Sequence, residues 1–126
     1  MAYRQALATY KQTENDYMKG IETPHGRITI LFETIIDNID SIIEKHPKTD
    51  FVSFGKCMNA LKILSGSLDR ENGKDIANNL FNLYEYCLNT LREYLELKDA
   101  RKLKEIQNIV SGLLEAWKEI DTKVSK

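Results

Sequence analysis

The sequence predicts an all-α fold, an antiparallel four-helix bundle with a short N-terminal capping segment, and three observations carry that expectation. Apolar residues recur three and four positions apart over four long stretches, which is the helical period and not the strand period. Only Pro24, Pro47 and six glycines punctuate 126 residues, too few for a many-turned β fold. The stretches are joined by short polar connections, for which antiparallel packing around a shared core is the natural solution.

The first segment, about Ala2 to Lys11, places Tyr3, Leu7 and Tyr10 on one helical face. A helix this short is marginal alone and must dock on something. A polar stretch with Tyr17, Met18 and Ile21 set in it follows. We expect one domain over residues 1–126, with 1–22 a mobile N-terminal cap and 23–124 the bundle.

Thr23 as N-cap with Pro24 at the first helical position is a common helix start. The helix they open carries Ile28, Leu31, Phe32, Ile35, Ile36, Ile39, Ile42 and Ile43 within an arc of about 140°. Glu33, Asp37, Asp40 and Glu44 form an acidic stripe outside it. Pro47 ends the helix, and Asp50 or Thr49 can cap the next, whose apolar positions are Phe51, Phe54, Cys57, Met58, Leu61, Leu64 and Leu68. LDRENGK then stops that helix, with Asn72-Gly73 supplying residues that tolerate φ > 0. Asp75 or its neighbours can begin the third bundle helix, which runs to about Lys98. Asp99 is placed to cap the last, whose inner stripe is Leu103, Ile106, Val110, Leu113, Trp117 and Val124.

Composition removes several function classes. Lys+Arg 18 against Asp+Glu 19 gives a formal charge of −1, so no electrostatic footprint points to nucleic acid or an anionic membrane. Lys98, Arg101, Lys102 and Lys104 cluster, but Glu96, Asp99 and Glu105 stand among them, as on a solvated helix surface. No apolar run is long enough to span a bilayer, and stable membrane insertion is not expected. The N-terminus lacks the apolar run of a signal peptide, which points to the cytoplasm. Cys57 and Cys87, 30 positions apart, read as small core residues without a disulfide.

Candidate chemistry is thin. Glu22-Thr23-Pro24-His25 matches the Glu-x-x-His pattern of metal-binding bundles, but Thr23-Pro24 marks a helix start and no second copy exists. His25 and His46 are both expected to be solvent-exposed at helix ends. The acidic stripe lacks the tight loop of a calcium site. No nucleophile–base pairing and no Gly-rich phosphate loop is present. We expect no enzyme activity, metal or cofactor.

The breadth of the apolar faces remains to be explained. In GKDIANNLFNLYEYCLNTL and the residues after it, Ile76, Ala77, Leu80, Leu83, Tyr84, Cys87, Leu91, Tyr94 and Leu95 fall within about ±60° of one another's mean direction and form a bundle seam. Phe81, Leu88 and Tyr86 lie outside it as rim positions, and Leu114 and Ala116 broaden the last helix in the same way. Such residues either pack at helix boundaries or line a groove for a partner's amphipathic helix. Periodicity leaves both open.

The block SLDRENGKDIANNLFNLYEYCLNTL followed by GLLEAWKEI resembles the flagellar secretion chaperone family, the FliS-type cytoplasmic partners of flagellin. The matching positions are Leu68, Asp69, Gly73, Ile76, Ala77, Asn79, Leu80, Leu83, Tyr84, Tyr86, Leu91, Leu114, Ala116 and Trp117, with Tyr10 and Thr23-Pro24 upstream. The chain departs from the family pattern at Arg27, Thr34 and Tyr94-Leu95. The resemblance implies a chaperone that binds the helical C-terminal segment of flagellin, prevents its premature polymerisation and delivers it to the flagellar export apparatus. It implies partner contacts from Phe81, Tyr84, Tyr86, Leu88 and Leu114, and a cover built on Tyr3, Leu7 and Tyr10 that yields to cargo. A co-chaperone or regulator is a further partner, and a monomer or homodimer the expected state. The competing readings are an adaptor for another amphipathic helix and a metal- or cofactor-binding bundle enzyme.

Overall fold

The computed structural model describes Tyr10 and residues 24–124, with side chains from 25 to 119. These residues form α1 (Pro24–Lys45), α2 (Phe51–Gly66), α3 (Arg70–Leu97) and α4 (Arg101–Val124). Helix α1 packs on α2 and α4, and α3 packs on the same two, so the four close into a bundle with α1 and α3 on one diagonal. Connections as short as residues 67–69 and 98–100 leave the chain no option but to reverse direction. An isolated antiparallel bridge joins Tyr10 to Leu68. The expectations for residues 1–9 and 11–23, including Tyr3, Leu7 and the Thr23 cap, lie outside the described residues.

Each connection is closed by an aspartate. Asp50 caps α2, accepting the Ser53 backbone N–H at 3.1 Å together with the hydroxyls of Ser53 and Ser41, both at 2.8 Å. These bonds hold its carboxyl well below the usual carboxylate range. Asp69 caps α3 through the Asn72 N–H at 3.1 Å, and Asp99 accepts the Arg101 N–H at 3.0 Å at the start of α4. Such caps satisfy donors that a helix leaves unpaired at its first turn. At the far end of α3, Lys98 turns left-handed (φ 55°, ψ 38°) and returns its N–H to the Tyr94 carbonyl at 2.7 Å.

The apolar stripe of α1 is inward as expected: Ile28, Leu31, Phe32, Ile35, Ile39 and Ile42 are buried, and Ile36 and Ile43 pack against them. Leu61 and Leu64 of α2, Tyr84, Leu91 and Tyr94 of α3, and Leu103, Ile106 and Val110 of α4 complete the core. Cys57 and Cys87 are buried free thiols, pushed up to about 12 by that burial.

Four sequence expectations are corrected and one is extended. The long part of α3 starts directly after a kink at Lys74, beside Asp75 as expected, and a single turn nucleated by Asp69 precedes it from Arg70. That turn joins the rest through Lys74 (φ 49°, ψ −125°), so a lysine and not Asn72-Gly73 takes the positive φ. Ile76, directly after this kink, is exposed, as is Phe51 in the first turn of α2, whose side chain projects past the end of the core. Leu88 is buried and not a rim residue, because α3 is flanked by both α2 and α4 and therefore buries an arc wider than one seam.

Candidate partner-binding surface

At the end of the bundle where α1 starts and α4 finishes, four rings meet. The Tyr10 side chain is buried, with its hydroxyl 2.5 Å from that of Tyr84 and its ring 5.7 Å from Trp117 at 83°, edge to face. His25 stacks on Trp117, with centroids 4.6 Å apart and planes within 6°. His25 Nε2 lies 2.8 Å from the Trp117 carbonyl, and since a carbonyl can only accept, that nitrogen carries the proton. Trp117 Nε1 in turn donates to the His25 carbonyl at 3.0 Å. Burial raises the Tyr10 and Tyr84 phenols well above their ordinary range, so both stay neutral hydroxyls.

The expectation of a solvent-exposed His25 is therefore corrected: the ring is buried between helices. His46 is half-buried, its Nδ1 2.9 Å from the Tyr94 hydroxyl. Both positions follow from tertiary contacts 92 and 48 residues away along the chain, which no local pattern announces.

The other site candidates separate into three groups. Tyr84 and Leu88 are core residues. Phe81 and Leu114 are half-buried and pack against the core from its edge. Tyr86 is exposed and donates its hydroxyl to Glu105 of α4, a bond that raises its pKa. Phe81 carries a cover that the sequence reading missed. The Arg70 guanidinium lies 4.4 Å from its ring centroid, and Arg70 Nε donates to Asn78 Oδ1 at 2.9 Å. Eleven residues of unbroken helix would hold Arg70 and Phe81 about 16 Å apart. The kink at Lys74 folds the first turn back over α3 and brings them together, so helical periodicity offered no signal.

Apolar side chains also stand in the open elsewhere on the bundle surface. Phe51, Val52 and Leu97 are 67%, 70% and 62% exposed, and Ile63 and Ile76 are exposed too. All five belong to α2 and α3. Helix α2 contains Lys56 and Lys62 and no acidic residue. The basic cluster of α4 is partly neutralised, with Arg101 on Asp99 at 2.9 Å and Lys102 on Glu93 at 3.1 Å. Among the described residues no group of histidine, cysteine and carboxylate side chains is arranged to hold a metal ion. No helix among them is long and apolar enough to cross a membrane.

A closed helical bundle that leaves apolar side chains on its surface, and has an aromatic residue from an upstream segment lodged at one end, is the architecture of a protein-binding module. Comparison with known proteins gives it a family. The family model described as flagellar protein FliS matches residues 3–124, and the chain belongs to that family. It is 32% identical to the flagellar secretion chaperone FliS of Salmonella typhimurium, over 94% of this chain and 92% of the relative. It is 25% identical to the protein of that name from Vibrio cholerae, over 93% and 89% of the two chains. The Campylobacter jejuni protein of the same name is 31% identical, over 80% and 82%.

Proposed function

We propose that this protein is a cytoplasmic export chaperone for flagellin. It binds the helical C-terminal segment of newly made flagellin, keeps that segment from polymerising, and delivers it to the flagellar export apparatus. The observation that carries the reading is a FliS-family bundle whose seam is filled while large apolar side chains remain at its surface. An amphipathic segment that would otherwise pair with its own kind needs such a surface to cover its apolar face.

In this reading Phe81, Tyr86 and Leu114 are the cargo contacts, since their side chains reach the surface. Tyr84 and Leu88 support them from the core, and Tyr10, with Tyr3 and Leu7 before it, belongs to the cover that cargo displaces. Calorimetry with a flagellin C-terminal peptide tests the proposal. Saturable binding at micromolar concentrations supports it, and no heat at tens of micromolar rejects it.

A further inference from the structure

The connection between α2 and α3 is built unlike the other two. Lys74 holds φ 49° and ψ −125°, a region open to glycine and strained for any residue with a Cβ. The turn ahead of it is held on both sides. Upstream, Leu68 is buried and pairs its backbone with Tyr10, whose own side chain sits against Tyr84 and Trp117. Downstream, Arg70 covers the Phe81 ring and donates to Asn78.

A strained joint does not persist unless the contacts around it outweigh the strain. Around it stand the Asp69 cap, the buried Leu68 side chain, the Arg70 latch and the Leu68–Tyr10 pairing, and the last two are weak by kind. The latch is a single cation–π contact with one exposed hydrogen bond, and the pairing is one isolated bridge.

We propose that the Leu68–Lys74 connection is a spring-loaded gate over Phe81, latched by Arg70, hinged at Lys74 and released when Tyr10 leaves Leu68. The inference rests on the reading that Phe81 receives flagellin's C-terminal segment, and it adds how access to that site is regulated. Departure of Tyr10 takes away one of these weak restraints. The strain at Lys74 then favours the open turn, and the ring is freed for an apolar partner. The cover and the gate thus act in sequence and not as independent flaps.

The test combines amide exchange over residues 69–80 with calorimetry against the flagellin C-terminal peptide, using the full chain. Lys74→Gly relieves the strain, so exchange slows and peptide affinity falls, each by about tenfold, since a site open part of the time binds in proportion to its open fraction. Lys74→Ala keeps the Cβ and stays close to wild type in both readouts. Arg70→Ala removes the latch, so exchange quickens and affinity rises by about two- to fivefold. Failure of the wild-type chain to bind the peptide overturns the cargo reading, and with it the use made of Phe81 here. Wild-type binding with Arg70→Ala and Lys74→Gly both unchanged in affinity overturns the gate and leaves the cargo reading standing. A change in exchange without a change in affinity overturns it equally.

Discussion

His25 and Trp117 grip each other three times: their rings stack at 4.6 Å, and each donates a ring N–H to the other's backbone carbonyl, at 2.8 and 3.0 Å. The pair joins the first turn of α1 to the last third of α4, the two ends of the bundle sequence. His25→Ala removes the stack and the bond to Trp117, and we expect a loss of about 2–4 kcal/mol in urea unfolding. Trp117→Phe keeps a ring but removes one donor. Thr29 Oγ1 also reaches the His25 carbonyl, at 2.9 Å, so that oxygen is not orphaned and the hydrogen-bond loss stays near 1 kcal/mol.

The buried Tyr10–Tyr84 hydroxyl pair predicts strong non-additivity. Removal of either hydroxyl leaves the other without this partner in the interior, at a cost of about 1–3 kcal/mol for Tyr10→Phe or Tyr84→Phe. The double variant Tyr10→Phe/Tyr84→Phe buries no unpaired hydroxyl, so it should be about as stable as either single one. A thermal-unfolding double-mutant cycle measures the coupling, and simple additivity would show that the hydroxyls do not pair.

Asp50 predicts an acid-sensitive α1–α2 corner. Its carboxyl is held below the ordinary range by hydrogen bonds from Ser41 and Ser53, with a smaller contribution from Lys45. In the unfolded chain the carboxyl takes up its proton near pH 4, and in the folded chain only at lower pH. The stabilisation is therefore fully present above pH 5 and declines as pH falls below 4. Asp50→Asn should lower stability at neutral pH and flatten the acid limb of the stability curve. An unchanged slope in denaturant titrations from pH 6 to 2 would contradict this.

The thiols predict an all-or-none labelling pattern. Cys57 and Cys87 are buried, with pKa values pushed up to about 12 by burial, so neither presents a thiolate near neutral pH. We expect no rapid reaction with Ellman's reagent at pH 8 in the native protein and two equivalents in denaturant, matching the two cysteines of the chain. One fast thiol in native buffer would show that the core opens locally around it.

The long regular parts of this fold were legible because their signal is local. Every apolar position expected in α1 from Ile28 to Ile43 points inward or packs at the core edge, and Asp50 and Asp99 stand at helix starts as expected. The departures mark where long-range contacts or backbone geometry take over. His25 is a helix-end histidine until Trp117 arrives from the last helix. Leu88 is a rim residue for a helix with one neighbour and a core residue for α3, which has two. Arg70 meets Phe81 only because the chain kinks between them, and a pattern that assumes unbroken helix places the two on separate turns. Of the candidate contacts, the aromatic surplus at Phe81 and Tyr86 was visible from periodicity, whereas the arginine covering one of them was not.

Trp117 is the chain's single tryptophan, and it stacks on the His25 ring and meets the Tyr10 ring at 83°. Its fluorescence consequently belongs to one place in the molecule. While Tyr10 is seated the indole is shielded from water, and departure of that tyrosine admits solvent and shifts the emission to longer wavelength. The native protein thus carries an intrinsic optical probe, at the position where the upstream segment meets the bundle, that needs no dye or added label.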